Sequence, residues 1–372
     1  MRYRKIFNSN EKVSAIGLGT GYGGNRARIS KYDDSHVRTI QSSIDIGITF
    51  IDTAEEYGMG GAEIAISKAI SNVRDKVFIS TKVSAENLIY KNVIKSVEES
   101  LKRLDTDYID LYQNHWLNPL IPFEETLKAM DKLIQDGKIR YVGLCNVTLN
   151  ELIKAKEYLS TDLLQFVQLE YNLADREIEQ EILPFCDKEN IIIVAYSPLL
   201  QGSICRNQNK IKILKDIAKK HRKSISQIVL NWIIAKKQII AIANTNNLDH
   251  LKENSESTNF ELSKSDLSII DKTFSPNYIH IPTGQIHTHP KKKQGFNDYR
   301  SIKDALENRS NMVPSPKELA NDIMNGQKIK PIKIKKCISD NNKYDLIEGR
   351  LRYWAWVIAN GKKPILAITI DD

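Results

Sequence analysis

An eight-stranded parallel α/β barrel followed by a small α+β domain is the architecture this sequence predicts, and three observations carry it. Short β-branched runs alternate with amphipathic helical stretches from Val13 to about Phe274, about eight such units are present, and the candidate polar residues fall at the carboxyl ends of many different runs. An open doubly wound sheet is the competing architecture. Against it, GLGTGYGG after the first run continues into a polar loop and not directly into a helix, so the GxGxxG fingerprint of the open fold is missing.

In chain order, a short opening strand around Ala15–Leu18 is followed by ITFID, KVFIST, YIDLYQ, IRYVGL, FVQLEY, IIIVAYS and IIAIANT. Helices are expected between them at Gly61–Ser71, Tyr90–Leu104, Phe123–Asp136, Asn150–Tyr158 and Ile178–Glu189. The pattern changes at Ser275–Asn277. A fresh strand, YIHIPTGQIHTHP, leads into the Lys291–Lys293 run and a polar loop through Met312. A helix over Ser315–Met324 then starts with Ser315 and Glu318 in a capping box and stops at Asn325-Gly326. The strand KPIKIKKC, the turn SDNNK, the strand YDLIEG, the helix RLRYWAWVIANG and the strand PILAITI complete the second domain. The domains are thus expected over residues 1–275 and 278–372.

The 372 residues, 41% hydrophobic and 27% charged, leave room for one large domain and one small one. MRYRKIFNSNEK lacks the apolar stretch of a signal peptide, and no later run reaches membrane-span length, so a cytoplasmic protein is expected. Seven of the eight net positive charges fall between Tyr278 and Asp372, where 17 Lys and Arg face 10 Asp and Glu. Such a run is ordinarily a solvated face, and nucleic acid is not expected as a partner. Cys145, Cys186, Cys205 and Cys337 lack the paired spacing of zinc or redox motifs and read as reduced thiols.

The chemistry lies in four residues at successive strand ends: Asp52 and Tyr57 in FIDTAEEYG, Lys82 in VFISTK and His115 in IDLYQNHW. Reducing a carbonyl with a reduced nicotinamide requires hydride at carbon and a proton at oxygen. A free phenol titrates near ~10, so a lysine ammonium beside it would lower its pKa, and a carboxylate would hold the lysine in place. Tyr57, Lys82 and Asp52 are the residue types for those roles, and His115 would orient the carbonyl. Singly each is weak evidence; together, on successive ends of one barrel, they describe a single site.

The segments VSAIGLGTGYGG, GITFIDTAEEYG, STK, SLKRLDTDYIDLYQNHW, GKIRYVGLCN, VQLEYN, AYSPLLQG and DHLKEN give residues Val13 to about Phe274 a strong resemblance to the aldo-keto reductase family. The resemblance implies a (β/α)8 barrel, an extended nicotinamide cofactor, no metal and a small-molecule carbonyl substrate. It makes Tyr57 the general acid, assisted by Lys82 and Asp52. It implies that Asn146 and Gln168 hold the nicotinamide carboxamide, that Tyr196 stacks on the ring, and that the loop from Ser197 through Leu199 to Gly202 clasps the pyrophosphate. Thr245, His250, Glu253 and Asn254 would line the adenosine end, Gly19, Thr20 and Gly21 would approach the cofactor, and Tyr22 and Trp116 would wall the substrate pocket. Three departures stand out: Cys145 where a serine commonly precedes the asparagine, Ala243-Asn244 after the last strand, and His250 where an arginine often meets a 2′-phosphate. NADPH is the expected cofactor, with NADH as the alternative, because phosphate recognition favours Arg or Lys.

From Tyr278 onward, IHIPTGQI, IKPIKI and IEGRLRYWAW resemble the ParB/sulfiredoxin-like domain. The resemblance implies a phosphate site at Gly349, Arg350 and Arg352 and a second nucleotide ligand there. Arg350 stands both where sulfiredoxin has its cysteine and where ParB proteins often carry an acidic residue, which removes redox repair and puts nucleotide hydrolysis in doubt. The rival readings are a regulatory protein whose barrel holds cofactor without turnover, and a bifunctional enzyme whose small domain transfers phosphate.

Overall fold

Eight parallel strands close into a ring in the first part of the chain, as the alternation predicts. They are β3 (Ile16–Gly19), β4 (Phe50–Asp52), β5 (Phe78–Val83), β6 (Ile109–Asn114), β7 (Ile139–Cys145), β8 (Leu164–Glu170), β9 (Ile192–Tyr196) and β10 (Ile239–Ala243), preceded by an antiparallel hairpin of β1 (Tyr3–Lys5) and β2 (Lys12–Ser14). Closure is made by β10 on β3, with Ala241 opposite Ile16. This computed structural model describes all residues except 8, 23–30, 160–162, 205–206, 289–298, 300, 311, 313, 338–339, 341 and 371–372. Cys205 and the Lys291–Lys293 run therefore lie outside the described residues. The chain divides into two units, Met1–Phe274 and Ser275–Asp372.

Around the ring lie α1 (Asp34–Asp45), α2 (Gly61–Ile70), α3 (Tyr90–Leu104), α4 (Phe123–Gln135), α5 (Leu149–Tyr158), α6 (Ile182–Glu189), α7 (Gln208–His221), α8 (Ile225–Ile234), α9 (Leu248–Glu256) and α10 (Lys264–Thr273). The strands are buried almost without break along their length, polar residues included, because helices cover one face and the barrel interior the other. Helix α3 shows how a helix meets them: Val93, Val97, Leu101 and Leu104 recur at three- and four-residue spacing and are buried as one stripe. Helix α6 starts later than expected, after a short 3₁₀ turn at Glu177–Glu179.

The barrel interior is layered. Near the strand starts, Phe50, Phe78, Phe166, Ile192 and Ile240 pack with Ile6 and Val13 of the hairpin, which closes that end. The Phe50 and Phe78 rings stack with centroids 5.4 Å apart, and Phe166 lies 5.6 Å from Phe78. Gly17 makes room here, since a Cβ on it would approach Phe50 and Ile242 to 2.9 Å. Above this apolar plug, Gln113 Nε2 donates to Ser80 Oγ at 3.0 Å and to Gln168 Oε1 at 2.8 Å, and Ser80 donates to Asp52 at 3.1 Å. Each of these side chains has at least one partner in the layer, as a low-dielectric interior favours, and Gln113 Oε1 is the atom left without one.

The second unit is a mixed sheet in the order β11-β15-β13-β14-β12, built from β11 (Asn277–Pro282), β12 (Ile286–His287), β13 (Ile332–Lys336), β14 (Tyr344–Glu348) and β15 (Pro364–Thr369). Its core joins Ile332, Ile334, Leu346 and Ile365 to Tyr353 and Trp354 of a helix, α13 (Arg350–Asn360). Ahead of α13 in the chain come α11 (Ile302–Leu306) and α12 (Pro316–Met324). The Ser315–Glu318 capping box forms as predicted. Within the stretch expected to be a polar loop, α11 is a correction: Ser301 caps it and Ala305 is buried, but five residues are too few to show a helical period.

Candidate active site

The carboxyl ends of the barrel strands open into a cavity of about 810 Å³. At its floor, the Lys82 ammonium is fully buried and donates to both carboxylate oxygens of Asp52, each at 2.8 Å, and to the Thr53 carbonyl at 2.7 Å. Three acceptors around three N–H donors leave that ammonium fully satisfied, which is what makes its burial tolerable. The pair is delivered by strand order alone: Asp52 ends β4, Lys82 lies near the end of β5, and the two strands are neighbours.

Over this pair lies Tyr57, in the turn after β4, with Lys82 Nζ 5.5 Å from its ring centroid. Its hydroxyl is 3.5 Å from His115 Nε2, and the two rings meet edge to face. His115 Nδ1 lies 3.0 Å from Glu56 Oε1, so the ring is flanked by a carboxylate on one side and the phenol on the other. Gly21 is shaped to this arrangement. A Cβ there would stand 2.9 Å from Tyr57 Cζ and 3.2 Å from its hydroxyl oxygen.

Burial pushes the Tyr57 phenol well above its usual range, and the Asp52 carboxylate, Cys145 and Glu56 push it further the same way. The sequence-based expectation of a lowered phenol pKa is thus corrected. The Asp52 carboxylate that holds Lys82 contributes to that rise, and the phenol holds its proton at neutral pH.

Beside the floor, Asn146 follows β7 in a left-handed conformation (φ 58°) and ties three elements together. Its amide nitrogen donates to the His115 carbonyl at 3.1 Å, and its Oδ1 accepts from the Tyr196 hydroxyl at 2.8 Å. Gln168 Nε2 reaches Asp52 at 3.4 Å. The Cys145 thiol sits 3.2 Å from the Asn146 amide nitrogen, and burial pushes it up to about 12, so it acts as a neutral neighbour and not as a nucleophile.

From there the cavity runs along the loop after β9. Ser197 (φ 51°), Leu200 (φ 50°) and Gly202 (φ 86°) all take positive φ, which bends that loop over the cavity that Ser197, Leu199 and Gly202 line. The far end is lined by Thr245, His250, Glu253 and Asn254. Asn247 caps α9 through bonds from the Asp249 and His250 amides, and Glu253 accepts from Ser224, the cap of α8. Gly19, Gly21, Tyr22 and Trp116 also line the cavity.

Thr20 does not. It is buried, its hydroxyl and amide both donate to the Asp52 carbonyl, and it buttresses the turn beneath the cavity. Lys82 is likewise buried and beneath the lining. Pro198, Ile204 and Ser226 line the cavity although sequence reasoning passed over them. The Ser224–Gln227 capping box was the available signal for Ser226, because it places that residue in the first turn of α8.

The residues at the second unit's expected phosphate site are present but differently engaged. Gly349 caps α13 at φ 95°, and Arg350 opens the helix. Arg352 donates to the Pro331 carbonyl at 2.7 Å and reaches Glu348 at 3.2 Å. Its guanidinium braces β13 and β14 within its own unit.

The sizes and chemistry of the barrel cavity fit an extended dinucleotide. A protonated phenol and an imidazole stand at one end, amides and a glycine-containing loop in the middle, and a helix start at the other. Residues 15–274 match the model of the aldo/keto reductase family. The methylglyoxal reductase YeaE of Escherichia coli is 36% identical over 269 residues, covering 72% of this chain and 93% of that protein. Among solved structures, the thermostable aldo-keto reductase Tm1743, in complex with epalrestat, aligns with a TM-score of 0.69 at 38% identity over 73% of this chain and all of that one. An aldo/keto reductase from Klebsiella pneumoniae in complex with NADP and acetate aligns with a TM-score of 0.66 at 33% identity, over 74% of this chain and 96% of that one. The fold, the cavity and these likenesses together place the chain in the aldo/keto reductase family, as an NAD(P)H-dependent oxidoreductase.

Proposed function

We propose that the barrel reduces a small aldehyde or ketone, with Tyr57 donating the proton and His115 orienting the carbonyl. The observation that carries this reading is the Tyr57 hydroxyl 3.5 Å from His115 Nε2 at the cavity floor, over the buried Lys82–Asp52 pair. When bound, the reduced nicotinamide supplies hydride to the carbonyl carbon. Asn146 and Gln168 would hold its carboxamide, Tyr196 would face its ring, and the Ser197–Gly202 loop would hold the diphosphate. Thr245, His250, Glu253 and Asn254 would surround the adenosine.

The substrate oxygen is received between the phenol and the imidazole. Tyr57 keeps its proton until oxygen develops negative charge, and the buried Lys82 ammonium stabilises the phenolate left behind while Asp52 fixes the lysine in register. NADPH is the cofactor this reading favours, on the strength of the NADP-bound Klebsiella relative, and NADH is the alternative that follows from His250 in place of a permanent cation. A small 2-oxoaldehyde is the substrate class to try first, since the Escherichia coli relative is named for methylglyoxal. Tyr22 and Trp116 would form its apolar wall.

Turnover of NADPH and NADH with methylglyoxal and a panel of aldehydes tests the proposal. Tyr57→Phe is expected to lower kcat by about 10²–10⁴-fold while cofactor affinity stays within twofold. Unchanged turnover in that variant would end the reading.

A further inference from the structure

In the second unit, three side chains of different chemistry converge: His287 from β12, Asp345 from β14 and Cys337 just beyond β13. One donor atom of each lies within 4.8 Å of the other two. The sheet produces this convergence. β12 and β14 pair in parallel with His287 opposite Asp345. Side chains alternate along a strand, so both leave the sheet on the face opposite Ile286 and Leu346, which join the core. Cys337 is buried, and its amide donates to the Lys343 carbonyl at 2.9 Å, which holds it two residues from Asp345 along the neighbouring segment.

We propose that His287, Cys337 and Asp345 hold a divalent transition-metal ion, zinc before others. A thiolate and a carboxylate supply two negative charges against the ion's two positive ones, giving a neutral centre in a partly buried place. Imidazole with thiolate selects a borderline-soft ion over calcium or magnesium, which take oxygen ligands. His287 Nδ1 and Asp345 Oδ1 are closed off from solvent and 3.7 Å apart. That is longer than a good hydrogen bond and close to the roughly 3.4 Å between nitrogen and oxygen ligands of one tetrahedral zinc. Three protein ligands leave a fourth position for water or a ligand atom. The competing arrangement is a His–Asp ion pair beside a buried thiol, with Lys335, opposite Asp345 in register, as the balancing cation. The proposal does not depend on the barrel's reaction.

Full-length protein stripped with a chelator and titrated with cobalt(II) chloride tests it. One equivalent is expected to bind with a thiolate-to-cobalt charge-transfer band, and zinc chloride is expected to displace it. Cys337→Ser is expected to abolish the band, and His287→Gln and Asp345→Asn to weaken cobalt binding by about tenfold or more. Circular dichroism establishes that each variant folds; should Cys337→Ser fail to fold, the other two variants carry the test. Absence of the band in the unmodified protein, its survival in Cys337→Ser, or unchanged affinity in both His287→Gln and Asp345→Asn would overturn the proposal and leave the ion pair with Lys335.

Discussion

The two ends of the barrel are made from the same eight strands and obey opposite rules. At the strand starts, Phe50, Phe78 and Phe166 pack with Ile6 and Val13 in an apolar cluster, with the Tyr141 ring against Phe78 and Phe166. At the strand ends, Asp52, Lys82 and Gln168 form a hydrogen-bonded floor beneath Tyr57 and the cavity. The comparison teaches that stability and chemistry are separated by about the length of a strand. The apolar end can be close-packed because nothing has to enter it, and the polar end can hold buried charge because a rigid ring places each partner.

Three substitutions or conditions sharpen or break that division. The largest effect is expected at the packed end, where Phe166→Ala should cost about 3–5 kcal/mol of stability by opening a cavity among aromatic neighbours. Chemical denaturation reads the loss, and KM and kcat at a temperature where the variant remains folded should stay within twofold. A kinetic defect with little loss of stability would break the division. Next comes Gly21→Ala, whose new methyl meets the Tyr57 ring at 2.9 Å. Displacing the phenol should lower kcat by roughly 10²-fold while the melting temperature moves little; unchanged kinetics would mean the ring is not held where the structure puts it. The smallest effect is on pH. Because burial raises the Tyr57 pKa, its protonated form persists as pH climbs, so kcat for reduction should show no falling limb from this group below the ordinary phenol range near ~10. A falling limb close to neutrality would show that a group other than Tyr57 governs the proton.

Much of this was legible in the residues. Alternating β-branched runs and amphipathic stretches specify strands buried on both faces between covering helices, and that leaves few closed solutions besides a barrel. Asp52, Tyr57, Lys82 and His115 could be grouped beforehand because each follows a run, and run ends gather on one face of such a ring. Thr20 was misassigned for the same reason, since proximity in sequence to Gly19 and Gly21 does not say which way its hydroxyl turns. Ser226 and Ile204 were missed because they approach the cavity from a helix start and a loop. Helix α11 was missed because its five residues contain no full repeat of the helical pattern.

What the chain dictated locally was period, caps and punctuation: the Ser315 and Ser224 capping boxes, and apolar runs broken where polar residues start. Whether a given cation faces a ligand or another part of the protein was decided only by tertiary structure. Arg352 looked like a ligand-facing charge, yet it closes on Pro331 and Glu348, whereas Lys82 closes on Asp52 beneath a phenol, the carboxylate already named as its partner. The physical reason is that an ion pair depends on distances between segments far apart in the chain, and desolvation makes burial tolerable only where those segments bring matching charges and hydrogen bonds together.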